Sequence, residues 1–265
     1  MLYGAMNFPV MPILRELETI SQLGFDYFEL TMDPPQAHHS IIREIKSQLL
    51  HRLDRLNMKL VCHLPSFLSI ADLTDGIREA SVREMIASLE VAAELRPLKV
   101  VIHPGYVTGI GVHVADLARR HAMTSLEKIV SRADKLGLPL CIENMFVRTR
   151  SLAEPTEFEE LFAVLPTLKL TLDMGHAHIE SRHTNRNLDF IRRFPDRLAH
   201  LHVSDNFGKD DNHLPVGAGT VDFRKIVTEL KGIEYDKTAT LEVFSRDKEY
   251  LRRSREKFAE LMASD

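Results

Sequence analysis

Seven short apolar runs in this 265-residue chain each end in a side chain that can bind a metal, and longer amphipathic stretches separate them. They are FDYFE ending at Glu29, KLVCH at His63, LKVVIH at His103, PLCIE at Glu143, LKLTLD at Asp173, LAHLH at His202 and TATLE at Glu242. Strand-like runs alternating with helical ones describe repeated βα units whose strands lie parallel. Parallel strands closed into a barrel send all their C-terminal ends to one face, where the loops build the functional site. Residues far apart in sequence then ring a single cavity. Carboxylates and imidazoles in such a ring are suitable ligands for zinc, manganese, cobalt or iron.

Along the chain the pattern gives strands at 2–6, 26–30, 58–63, 98–103, 138–143, 168–173, 198–204 and 238–243. Helices fall at 10–23, 39–57, 78–95, 112–136, 155–164, 186–194, 221–231 and 247–262. Eight such pairs, ending on a helix, predict an α/β fold: a single (β/α)8 TIM barrel over 1–265, close to the ~250 residues such a barrel takes. No low-complexity or Pro/Gly-rich linker divides it. The long connections at 64–77, 104–111, 144–154, 174–185 and 205–220 all follow strands, which is the functional side of a barrel.

Composition narrows the partners. A net charge of −4 argues against a broad nucleic-acid surface. The two cysteines, Cys62 and Cys141, lie within strand-like runs and form no CxxC pair, as expected of a reducing cytoplasm. The N-terminus lacks a basic segment followed by a long apolar run, so no signal peptide is read. No stretch approaches the ~20 apolar residues of a membrane span. Arg119, Arg120, Lys128 and Arg132 alternate with Asp116, Glu127 and Asp134, which reads as a solvated outer helix. The outer helices are compatible with a homodimer, although no patch of sequence marks its interface.

Ordinary roles account for several polar residues. His38, His39, His51, His113, His121 and His183 fall in helices or loops and are expected to be solvated. His200 shares a strand face with His202 one layer deeper, as a satisfied core histidine would. Asp205 and Asn206 are expected to shape their turn, and Gly217 and Gly219 to serve backbone geometry. Glu143, Asp173, His202 and Glu242 resist such readings, because acidic groups are rarely buried without a partner.

HLP (63–65), VVIHPG (100–105), CIEN (141–144), LDMGHAH (172–178) and HLPVGAG (213–219) together resemble the xylose isomerase-like barrel superfamily over essentially the whole chain. That superfamily holds sugar isomerases and epimerases as well as type-IV AP endonucleases. Resemblance to the first branch implies one divalent ion on Glu143, Asp173, His202 and Glu242. Glu143 and Glu242 then transfer protons at a carbon beside a carbonyl, and His176 hydrogen-bonds the substrate. Substrate contacts are further implied for Glu29, His63, His103 and Asn144. Resemblance to the second branch implies up to three zinc ions: His63, His103 and Glu143 hold the first, Glu143, Asp173, His202 and Glu242 the second, and His176, Asp211 and His213 the third.

All nine endonuclease-type positions are filled, yet Glu29 in FDYFELTMD looks like the isomerase branch. The stretch after it, DPPQAHH, offers no arginine to a phosphate backbone. Many epimerases carry an arginine in the strand-seven loop, where this chain has Asp211-Asn212-His213. The expected activity is therefore metal-assisted isomerisation or epimerisation of a small sugar, sugar acid or sugar phosphate, with zinc or manganese. The alternative is a zinc-cluster phosphoesterase, and the third reading a non-catalytic barrel that binds a metabolite.

Overall fold

A computed structural model describes residues 1–181 and 185–264; His183 lies outside the described residues. Its eight strands close into one parallel barrel in sequence order. The elements are β1 (Leu2–Met6), α1 (Ile13–Gln22), β2 (Tyr27–Thr31), α2 (His39–Arg55), β3 (Lys59–His63), α3 (Asp75–Leu95), β4 (Val100–Ile102), α4 (Ala115–Leu136), β5 (Leu140–Glu143) and α5 (Pro155–Val164). β6 (Lys169–Asp173), α6 (Met174–His178), α7 (Arg186–Arg193), β7 (Leu198–Val203), α8 (Phe223–Gly232), β8 (Thr238–Leu241) and α9 (Glu249–Ala263) complete it.

Two cores hold the fold. The larger lies between strands and helices and includes Leu17, Ile42, Leu89, Ile129, Phe158 and Phe258, all at most 2% exposed. Phe158 and Phe190 meet edge-to-face there, with ring centres 5.1 Å apart, the arrangement that ring quadrupoles favour. The smaller fills the barrel floor with Tyr27, Val61 and Val101. A Cβ at Gly4 would fall within 2.1 Å of the Tyr27 ring, so that ring fits only beside a glycine.

Register sets the depth of the site residues. Glu29 pairs with Val61, two positions before His63, so it sits below the barrel mouth. His202 pairs with Asp173 and Thr240. β4 stops at Ile102 and β8 at Leu241, which leaves His103 and Glu242 just beyond their strands.

The sequence reading misses α6, which starts directly at the end of β6. Its cause is local: the Asp173 carboxylate accepts from the His176 backbone N–H at 2.6 Å and caps the turn. β2 runs two residues past Glu29 because the Asn7 side chain accepts from the Thr31 N–H at 2.8 Å and extends the edge. His38 and His39 are not simply solvated; both point Nε2 at Glu84, at 3.2 and 3.0 Å. Among the described residues no helix is long and apolar enough to cross a membrane.

Candidate metal centre

Glu143 stands at the middle of the barrel mouth. Its Oε2 lies 3.3 Å from His63 Nε2, 3.2 Å from His103 Nε2 and 3.3 Å from His202 Nδ1. Its Oε1 lies 3.2 Å from His176 Nδ1. Glu242 Oε1 is 2.9 Å from His202 Nδ1, and Asp173 Oδ2 is 3.9 Å from the same nitrogen. Asp211 Oδ2 bridges His176 Nε2 at 3.3 Å and His213 Nε2 at 3.0 Å. Nine residues from six strands, β3 to β8, and their loops thus share one site. Three buried triads among them could each hold an ion: His63/Glu143/His202, Glu143/Asp173/His176 and Asp173/His202/Glu242.

Proton counting tests whether a cation fits. His63 Nδ1 lies 2.7 Å from the Leu64 carbonyl and His176 Nδ1 lies 3.0 Å from that of Asn144. A carbonyl only accepts, so both rings carry hydrogen on Nδ1 and leave Nε2 bare in the neutral form. His202 donates from Nε2 to Glu29 Oε1 at 3.1 Å, leaving Nδ1 bare. Each bare nitrogen faces a carboxylate oxygen, and two lone pairs repel unless a proton or a metal lies between them. His202 Nδ1, Asp173 Oδ2, Asp211 Oδ1 and His213 Nδ1 are also buried without a hydrogen-bond partner. These oxygen and nitrogen donors suit zinc or manganese.

Without a metal, protons take that place. Burial opposes charge on His63, but Glu143 overcomes it and raises the imidazole. His202 and His176 are raised far more: Glu242 and Glu143 prevail over burial at the first, Asp173 at the second. His213 climbs to about 9 because Asp211 outweighs burial. Glu143 is held well below the carboxylate range, His202 and His103 overcoming its burial. Asp173 goes the other way: burial, with Glu242 and Glu143 adding to it against His176, pushes it up to about 7.

A pH dependence follows for the metal-free protein. His213 and Asp173 bind protons more tightly folded than unfolded, so their stabilisation is complete below the ordinary 6.5 and 3.8. It is lost as pH rises through about 9 and about 7 respectively. Thermal unfolding in chelator should therefore show the midpoint falling from pH 6 to 9, whereas saturating zinc, which replaces the protons, should flatten the curve. Parallel curves would show that these groups bind no ion.

Two residues expected at the substrate are placed elsewhere. Glu29 is fully buried, and its carboxylate accepts from His202, from His200 at 3.0 Å and from the Thr240 hydroxyl, so it supports His202 from below. Asn144 is equally buried; its side chain accepts from Asp173 N–H at 2.8 Å and donates to Asp173 O at 3.1 Å, fixing that strand end. His200 is a core histidine, lowered to about 4 by burial despite Glu29. His178 faces outward to Thr220 Oγ1 at 2.9 Å.

Asp205 organises the loop that carries Asp211 and His213. Its carboxylate accepts from the N–H groups of Asn206, Gly217, Gly219 and Val221 at 2.9 to 3.0 Å. A Cβ at Gly219 would lie 2.3 Å from the Asn206 carbonyl.

Above the ring opens a cavity of about 390 Å³. His63, His103, His176, His213, Glu143 and Glu242 reach its floor, and Asp33, Ser66 and Tyr106 are among its walls. The sequence reading passed over these last three because loop residues carry no strand-end signal.

Residues 17–263 match the family described as xylose isomerase-like TIM barrel. A crystal structure of a D-tagatose 3-epimerase-like protein superposes with a TM-score of 0.83 at 26% identity, covering 99% of this chain and 98% of that one. An uncharacterised protein of Methanocaldococcus jannaschii is 28% identical over 98% of this chain and 92% of its own. A probable endonuclease 4 of Aquifex aeolicus is 24% identical over 87% of this chain and 86% of its own.

Proposed function

The chain belongs to the xylose isomerase-like TIM-barrel family, and from that premise we propose that it is a divalent-metal-dependent isomerase or epimerase of a small carbohydrate. The observation that carries this reading is the pairing of Glu143 from β5 with Glu242 just past β8, both lining one small cavity beside the imidazole ring. The likeness to the D-tagatose 3-epimerase-like structure supports it. A divalent ion on Glu143, Asp173, His202 and Glu242 would supply Lewis-acid polarisation of a carbonyl and its neighbouring hydroxyl.

The protein's own groups do the rest. A carboxylate oxygen of one glutamate takes the proton from the carbon beside the carbonyl. The other glutamate, protonated when the substrate is bound, returns a proton to the opposite face of that carbon, or to the adjacent carbon with a matching shift of the hydroxyl proton to the neighbouring oxygen. Asn144 holds the Asp173 strand end, and Asp205 holds the loop that brings His213 to within 3.6 Å of Glu242. Proton exchange from solvent deuterium into a turned-over ketose would test this chemistry directly.

A second reading, zinc-cluster phosphoester hydrolysis, is favoured by the extra donors His63 and His103 on one side of Glu143 and by Asp211 and His213 on the other. The likeness to the probable endonuclease 4 points the same way. The two readings differ in stoichiometry. Under the hydrolase reading His63→Ala and His213→Ala should each remove about one equivalent of metal, by elemental analysis of protein purified without chelator. Under the single-ion reading both variants keep the wild-type content, close to one ion per chain.

A further inference from the structure

Outside the nine residues of the ring, the cavity wall carries a second polar feature. Asp33, in the connection between β2 and α2, is only 5% exposed and lines the cavity with Ser66. The Ser66 N–H donates to Asp33 Oδ1 at 2.9 Å and its hydroxyl donates to Oδ2 at 3.1 Å. Each oxygen is anchored once and keeps acceptor capacity, since an ionised carboxylate can take about four hydrogen bonds. A fixed acceptor pair of this kind suits two hydroxyl groups of a polyol.

Aromatic rings surround the approach. Phe67 and Tyr106 stack with planes 11° apart and centres 6.4 Å apart, and Phe67 is 80% exposed. Phe8 and Phe244 form another pair, 6.1 Å apart, each nearly half exposed. Large apolar rings left in solvent at a cavity mouth mark a binding surface, and the C–H faces of a sugar are apolar enough to lie on them. Charge gives the discriminating clue. Among the described residues lining the cavity there is no lysine or arginine, and its carboxylates are Asp33, Glu143, Asp211 and Glu242. A phosphate or carboxylate on a substrate seated against Asp33 would meet a like charge with no lysine or arginine to offset it.

We infer that the substrate is a neutral, unphosphorylated sugar, and that Asp33 is the specificity-determining contact for hydroxyls that the ring of nine residues does not hold. The inference rests on the carbohydrate reading above and narrows it.

The test is calorimetric binding of free ketopentoses and ketohexoses, each beside its terminal phosphate, to zinc- or manganese-loaded protein. The free sugar should bind at least tenfold more tightly than its phosphate. Asp33→Asn, which preserves the shape, should shrink that ratio, and Asp33→Arg should reverse it. Because the readout is a ratio, a general loosening of the loop would not move it. Tighter binding of the phosphates, or a ratio indifferent to residue 33, would overturn this inference and leave the carbohydrate reading standing. Binding of none of the sugars, free or phosphorylated, would overturn both.

Discussion

Replacing Glu143 with glutamine should abolish turnover and strip the metal in the same protein. The change is nearly isosteric, so the barrel should still form, but it removes the charge on which four imidazoles converge. Oε2 faces His63, His103 and His202 within 3.3 Å, and Oε1 faces His176 at 3.2 Å. An amide placed there turns an N–H toward either the first three rings or the fourth, where a cation or proton is needed. Loss of a proton-transfer carboxylate by itself lowers rates by roughly 10²- to 10⁴-fold, and loss of a ligand charge adds to that. Elemental analysis and turnover should therefore fall together in Glu143→Gln. A variant that retains full metal content and activity would remove Glu143 from the centre of the site and with it both functional readings.

The parts of this site that the sequence announces are those fixed by periodicity. Alternation along LKLTLD and LAHLH says which face Asp173 and His202 occupy, and parallel strands then bring them together whatever the loops do. Periodicity says nothing about depth. Glu29 ends an apolar run just as Glu143 does, yet its strand continues to Thr31 and leaves it below the mouth. The decision lies in a long-range bond from the Asn7 side chain, 24 residues away, that no local pattern reveals. Asp33, Tyr106 and the aromatic rim escape for a related reason. They sit on loops whose paths depend on contacts such as Asp33 with Ser66, 33 residues apart. His213 was legible through its spacing from Asp211 and as the start of HLPVGAG, whereas its left-handed backbone, φ 47°, belongs to a loop gathered around the buried Asp205 carboxylate.

Glu29→Gln should weaken metal binding by about 10- to 100-fold, the usual cost of altering a partner that orients a metal-ligating histidine. The wild-type carboxylate is fully buried and held well below its ordinary range, because His202 and His200 together overcome its desolvation. It accepts His202 Nε2–H at 3.1 Å, and that bond keeps His202 Nδ1 free to face Glu242 and Glu143. The glutamine amide weakens this arrangement in either orientation. With its nitrogen toward His202, the ring proton must move to Nδ1 and block the ligand position. With its nitrogen toward His200, whose Nδ1 lies 2.7 Å from Thr238, His200 changes tautomer and His202 keeps only a neutral acceptor. Chelator competition measures the affinity, and nitrogen NMR of the metal-free variant reports the protonation state of His202 independently of any activity. Glu29→Ala is the harsher change: it leaves two buried imidazoles without their acceptor, and breaking a buried ionic network of this kind costs about 3–5 kcal/mol of stability. An unchanged metal affinity together with an unchanged His202 spectrum in Glu29→Gln would mean that packing alone orients the ring. The charge beneath the barrel mouth would then have no part in the chemistry above it.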